Sequence, residues 1–324
     1  MPRNYGHLRD RHDPTRIQID LTHPMLASHT STKLPTSINL ITNTTLPKCQ
    51  RPYDQGHLGS CTANAIAFAY AFDEIKQNNN CEFMPSRLFI YYNERKVENS
   101  IDNDAGAQLC DGAKILNEIG VCEENIWPYD CPKFTVQPTE QCYSEATHFR
   151  TTKFTNIKMP KNHSVFLSAL KSALSNNSPI VFGFTVYESF ESSETETTGI
   201  MPLPSMNENV LGGHAVVLVG YDDNFVWDTQ HNMKGVFLVR NSWGTKWGRP
   251  PTFDNEFGKD TINGYFLMPY EFLTPDYCSD FYVMDSVTNP KQAEVPEYNN
   301  TDPLSPDNIN LDPGSNSGGV VNPN

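Results

Sequence analysis

Apolar positions along this chain fall into two regimes. Between about residues 60 and 120 they recur at helical intervals, and beyond about 179 they form short β-branched and aromatic runs bounded by Gly, Pro or Asn. The first helical pattern covers 63–72, where alanines supply helix propensity and Ile66, Ala69 and Tyr70 repeat at helical spacing. Residues 85–95 predict a second helix with a proline near its start, and 112–119 a third, stopped by Gly120 as a C-cap. A short amphipathic helix is predicted over 164–174. Strands are predicted over 179–186, 214–221, 235–240 and 264–268. Helices gathered ahead of strands predict an α+β architecture rather than alternating βαβ units. The expected body is two-lobed, with a helical lobe over about 50–150 and a β-rich, sheet or barrel-like lobe over about 151–288.

The remaining segments carry weaker patterns. Residues 1–33 are polar without a sustained period and read as an extended or irregular leader, with the packed body starting at 34–40. Residues 122–152, rich in Pro, Cys and aromatics, read as a connecting belt. From 289 to 324 large apolar residues almost vanish, so this tail cannot offset its ordering entropy and is expected to be disordered.

Charge narrows the function classes. A formal net charge of −14 without any basic run makes nucleic acid a poor partner. The N-terminus lacks the apolar stretch of a secretory signal, and no run approaches the roughly 18 apolar residues that span a bilayer. Cytoplasmic synthesis without a membrane partner is expected, and the final compartment is left open. Eight cysteines include no close C-x₂-C pair, so neither metal nor cofactor is expected. Disulfide connectivity is not legible.

Chemistry concentrates in 54–65, a glycine-rich turn that delivers Cys61 to the start of the first predicted helix. The unsatisfied N–H groups and positive dipole end of a helix favour an anion, which predicts a lowered thiol pKa. Alone, the position reads first as a buried structural cysteine, and only partners elsewhere overturn that reading. A nucleophile also needs a base, an orienting group and oxyanion donors. His214 follows two glycines that permit close approach of another backbone, at the mouth of a predicted strand. Asn241 lies at another strand end, ahead of Trp243 and Trp247, which have the bulk to shield a His–Asn hydrogen bond. Each of these, taken singly, also fits ordinary structure: a strand-start histidine, a turn over an aromatic core.

Together the three stretches resemble the papain-like cysteine proteases, the cathepsin family. Gln55-Gly56-His57-Leu58-Gly59-Ser60-Cys61-Thr62 is similar to the family's Q-G-x-C-G-S-C-W, and Asn241-Ser242-Trp243-Gly244-Thr245-Lys246-Trp247-Gly248 to its N-S-W-G-x-x-W-G. His214 begins an apolar strand between them, in the family's order. The resemblance, over roughly 34–285, implies Cys61 as nucleophile, His214 as its ion-pair partner and general acid, and Asn241 as orienter. It implies Gln55 as an oxyanion donor beside the Cys61 N–H, and Trp243 as cover for the His–Asn contact. It further implies that Ala105 and Gly106, near Asp104, stand where the family pairs with substrate backbone. Ser279 corresponds to the floor of the main specificity pocket, and Asp280 beside it leaves that pocket's polarity open.

Departures accompany the match. Leu58 stands where the family has a disulfide cysteine, Thr62 replaces the usual Trp, and Gly213 the Asp or Asn common before the His. The leader is shorter than a family propeptide and lacks its helical E-R-F-N-I-N pattern, a combination similar to bacterial and large-virus members. The resemblance implies a cysteine endopeptidase acting on proteins or peptides through a thioester. The leader is expected to sit in the cleft of a zymogen, the alternative being a plain N-terminal arm. Two other functional classes remain in view: a catalytically silent papain-fold scaffold, and another Cys–His acyl-transfer enzyme. The intact Cys61, His214, Asn241 and Gln55 weigh against the first, and the N-S-W-G motif against the second.

Overall fold

The computed structural model describes residues 4–11, 18–19, 33–41, 51–78, 83–248 and 263–287, with 18–19, 152 and 285–287 in backbone alone. In chain order the elements are β1 (His7–Leu8), β2 (Gln18–Ile19), β3 (Ser37–Asn39), α1 (Cys61–Asn78), α2 (Arg87–Val97), β4 (Ala107–Gln108) and α3 (Leu109–Glu118). Then follow α4 (Glu140–Ala146), β5 (Thr151–Ile157), α5 (His163–Ser175), β6 (Ile180–Tyr187), α6 (Ser193–Thr198), β7 (Val210–Asp228), β8 (Met233–Arg240), β9 (Tyr265–Pro269) and β10 (Cys278–Val287). All described residues fall within one compact unit, Met1–Pro290. The 289–324 tail expected to be disordered lies outside the described residues.

Helix α1 is central. Ile66, Ala67, Phe68, Ala69, Tyr70 and Ala71 are all buried, because the helix packs on α2 and α3 on one side and on β6, β7 and β10 on the other. Its alanines let neighbours approach from every direction. Its large side chains, Phe68 and Tyr70, each stabilise by about 1.5–3 kcal/mol through burial. Helix α2 starts two residues beyond Pro85, capped by Ser86, whose hydroxyl accepts from the Phe89 N–H at 3.1 Å. Its buried cations are paired through their terminal nitrogens: Arg87 with Glu124 at 2.6 Å, and Arg95 with the carbonyls of Ile101, Asn103 and Phe134. Gly120 closes α3 as expected, with φ of 91° and its N–H on the Ile115 carbonyl at 2.9 Å.

The second lobe is a sheet of order β2-β5-β10-β6-β7-β8-β9, with β3 also paired to β7, antiparallel except for β2–β5. This is the α+β two-lobed body expected. All four predicted strands are present, the one expected over 214–221 as the middle of the longer β7. Helices α4 and α6 and strands β5 and β10 are among the elements that escape the pattern. The 122–152 belt contains α4 and runs into β5, whose buried face carries Thr151 and Thr155 rather than an apolar run. In β10, Ser279 and Asp280 interrupt the alternation at a bulge. The leader also differs from an irregular arm. Its described parts are extended and paired, β1 with β4 and β2 with β5, both parallel. No helix among the described residues is long and apolar enough to cross a membrane.

Candidate active site

Cys61 is the first residue of α1 and is fully buried. The turn before it starts at Asp54, whose carboxylate accepts from the Gly56 N–H at 2.9 Å. That turn is laced to the far end of β8. The Gln55 N–H donates to the Ser242 carbonyl at 2.9 Å and the Gly244 N–H to the Tyr53 carbonyl at 2.8 Å. The Ser242 hydroxyl donates to Gln55 Oε1 at 2.6 Å. Held by its oxygen, the Gln55 amide turns Nε2 toward the Leu58 carbonyl at 2.9 Å and the Asn4 carbonyl at 3.4 Å.

Strand register brings the other residues together. Val217 of β7 faces Arg240 of β8 in an antiparallel pair. Continuing that register sets His214 beside the residues that follow Arg240. His214 Nε2 lies 2.8 Å from Asn241 Oδ1, and the imidazole stacks on Trp243 with centroids 4.9 Å apart and an interplanar angle of 25°. Asn241 Oδ1 also accepts from the Ser242 N–H at 2.8 Å, which fixes the amide orientation. His214 Nε2 is therefore a donor, and Nδ1 is the nitrogen that can exchange a proton with another group. Trp247 meets Trp243 edge-on at 4.8 Å, completing a dry aromatic shield.

Arg240, immediately before Asn241, escaped the sequence reading. Its guanidinium lies 4.1 Å from the centre of the Phe68 ring of α1 and donates to the Arg51 carbonyl and the Tyr265 hydroxyl. One buried cation thus ties β8 and β9 to the helix that carries Cys61. Its position next to Asn241 was the available signal, but an Arg ending a strand ordinarily reads as exposed. The bracing role of Asp104, named only for its place beside Ala105 and Gly106, escaped as well. The Asp104 carboxylate accepts from the Gly59 N–H at 2.9 Å, from Asn4 Nδ2 at 2.8 Å and from the Tyr91 hydroxyl, bracing the turn ahead of Cys61.

The leader runs through this cleft. The Gly6 carbonyl accepts from the Ala107 N–H at 2.7 Å, and a Cβ on Gly6 would lie 1.6 Å from the Gly59 carbonyl oxygen. Tyr5 lies edge-on to His214 and Trp243, with its hydroxyl on Glu191. His7 Nε2 lies 3.1 Å from Asp280 Oδ2. Among the substrate-contact candidates, Gly106 lies against Gly6, Trp243 covers His214, and Ser279 donates to Asp280 at 2.8 Å. Ala105 is exposed, and the backbone bond to the leader comes from Ala107 instead. Gly213 permits the close approach expected of it: a Cβ there would lie 2.2 Å from the His7 carbonyl oxygen.

Electrostatics correct one expectation. The Cys61 thiol is not lowered in this state but pushed up to about 11. Burial is the principal cause, and backbone hydrogen bonds from Ala215, Gly6 and Thr62 oppose it only in part. The helix end favours a thiolate, but burial removes the water that a thiolate needs. Thr62 serves a different purpose from the Trp it replaces. Its hydroxyl donates at 2.9 Å to Glu94, whose carboxyl burial raises well above its ordinary range. Cys61, Cys122, Cys131, Cys142 and Cys278 are free thiols.

Comparison with known proteins identifies the family. The papain family cysteine protease profile matches residues 34–263. An uncharacterized peptidase C1-like protein of Acanthamoeba polyphaga mimivirus is 43% identical over 98% of this chain and 97% of its own. Xylellain, a cysteine protease from Xylella fastidiosa, superposes with a TM-score of 0.69 at 34% identity, covering 88% of this chain and 98% of the other. Procathepsin B S9 of Trypanosoma congolense, at 16% identity and a TM-score of 0.63 over 88% and 87% of the two chains, shares the fold. With a family match across most of the folded body and a viral relative along nearly its whole length, this chain belongs to the papain family of cysteine proteases.

Proposed function

We propose that Cys61, His214, Asn241 and Gln55 form the catalytic site of a cysteine endopeptidase that is made as a zymogen. The observation that carries this reading is the 2.8 Å His214–Asn241 hydrogen bond under the Trp243 ring, with the Cys61 thiol on the backbone of Ala215 next door. Nδ1 of His214 takes the thiol proton, and the thiolate attacks the substrate carbonyl. The oxyanion is met by Gln55 Nε2 and the Cys61 N–H. Collapse expels the amine, which leaves with the proton from His214, and a thioester remains on Cys61. Water, deprotonated by His214, then releases the acid and restores the thiol.

The zymogen reading rests on the path of the leader. Tyr5 lies by His214, the leaving-group side, Gly6 at Cys61, and His7 on the acyl side. A substrate runs from acyl side to leaving side, because its acyl part is N-terminal to the scissile bond. The leader runs the other way, paired parallel with β4, so it blocks the site without presenting a cleavable bond.

The test compares hydrolysis of short fluorogenic peptides by the full chain, by residues 34–324, and by Cys61→Ala in each. Removal of 1–33 is expected to raise the rate about tenfold or more. Cys61→Ala is expected to abolish it, by on the order of 10⁴-fold or more. Equal rates with and without the leader would remove the zymogen, and hydrolysis that survives Cys61→Ala would remove the nucleophile.

A further inference from the structure

The acyl-side pocket holds a side chain already. The His7 ring fills a space created by the missing side chain of Gly183, where a Cβ would lie 1.9 Å from the imidazole. At the end of that space Asp280 Oδ2 accepts from three donors: His7 Nε2 at 3.1 Å, the Asp10 N–H at 3.1 Å and the Ser279 hydroxyl at 2.8 Å. A carboxylate only accepts, so His7 Nε2 carries the proton. Asp280 sits at the β10 bulge with φ of 58°, a left-handed conformation that Asp tolerates better than most residues and that fixes where its carboxylate points. With the leader in place the side chain is only 13% exposed. Burial opposes its ionisation, yet the bond and charge of His7, with the Asp10 and Ser279 donors, hold its carboxyl below the usual range.

Two of those three donors belong to the leader. When the leader leaves, a half-buried carboxylate keeps only the Ser279 hydroxyl among them, and an anion short of donors favours a cationic replacement. The charge of the departing segment fits the same surface. In a chain of net charge −14, residues 4–11 carry Arg9 and Arg11 against one acid, Asp10. Arg9 donates to the Pro275 and Asp276 carbonyls, and Arg11 acts electrostatically on Glu98.

We propose that Asp280 makes this subsite select a cationic side chain, so that the enzyme cleaves peptides carrying Arg or Lys at the second residue before the scissile bond. The position follows from the register: Gly6 stands at the thiol, and His7 is one residue further on the acyl side. The proposal rests on the peptidase reading above.

The test uses the full chain carrying Gly6→Val, whose side chain cannot fit against Gly59 and so opens the cleft. Its substrates are fluorogenic peptides that differ only at that second residue: Arg, Lys, Leu or Glu. The Arg and Lys peptides are expected to exceed Leu in kcat/KM by about tenfold or more. In Gly6→Val with Asp280→Asn, an isosteric change tolerated at positive φ, the Arg-to-Leu ratio is expected to fall about tenfold while the Glu-to-Arg ratio rises. Misfolding lowers all peptides together and cannot produce opposite shifts. Hydrolysis without preference for Arg or Lys, or an Arg-to-Leu ratio indifferent to Asp280→Asn, overturns the subsite alone. Absence of hydrolysis of every peptide overturns the peptidase reading and the subsite with it.

Discussion

Glu94 is the residue whose environment departs furthest from what its type suggests. It is fully buried behind the first turn of α1, accepts from Thr62, and faces Glu98 and Asp111, whose charges add to the cost of ionising it. Burial therefore keeps its proton on in the folded chain at pH values where the unfolded chain has lost it. The sign follows from linkage: the folded state binds more protons, so stability is full below the ordinary Glu range and declines as pH rises toward the raised folded value. Glu94→Gln keeps an acceptor for Thr62 and has no proton to lose. Urea midpoints measured from pH 5 to pH 8 are expected to fall for the native chain and to flatten for Glu94→Gln; parallel profiles would refute a neutral Glu94. Its pairing with Thr62 explains a departure that the sequence could register only as a missing Trp.

At the scale of elements, β1 shows how a short strand can depend on one glycine. Two residues of pairing cannot hold a strand alone, and β1 is held by Asp10, which accepts from the Cys110 N–H at 3.1 Å and from the Tyr282 hydroxyl. Those ties reach both lobes, so β1 docks as a bridge across the cleft. Gly6 is the point where no side chain fits. In Gly6→Ala the Ala107 amide, whose acceptor is the Gly6 carbonyl, is expected to lose hydrogen-exchange protection by about tenfold or more, while amides of α1 keep theirs. Unchanged protection at Ala107 would mean that β1 is not held through that contact. Helices α1, α2, α3 and α5 were legible because their apolar positions recur at helical spacing. Strand β5 was not, since its inward face is built on hydroxyls, and β10 was not, since a bulge breaks its alternation.

For the molecule as a whole, Cys61 and His214 are contacted by a segment more than fifty positions before Cys61 in sequence. With residues 4–8 against the site, burial pushes the thiol up to about 11, so thiolate is scarcer at pH 7 than for an ordinary free cysteine. Alkylation of Cys61 by iodoacetamide in the full chain is expected to be slow at pH 7 and to climb toward pH 11. Removal of residues 1–33 is expected to raise the pH 7 rate about hundredfold and to move the inflection down; identical profiles would show that the leader does not control the thiol. The sequence by itself determined the fold class and supplied the four residues proposed for the central site, because helical periodicity, β-branched runs and the three spaced motifs are local signals. The lowered thiol pKa inferred from the helix end did not hold, because desolvation is a property of what covers a residue. The courses of β1 and β2, the anchoring by Arg240 and Asp104, and the seating of His7 on Asp280 were decided only in the tertiary structure. Each is a contact between polar residues far apart in the chain, and no local pattern records which donor will meet which acceptor once water is excluded.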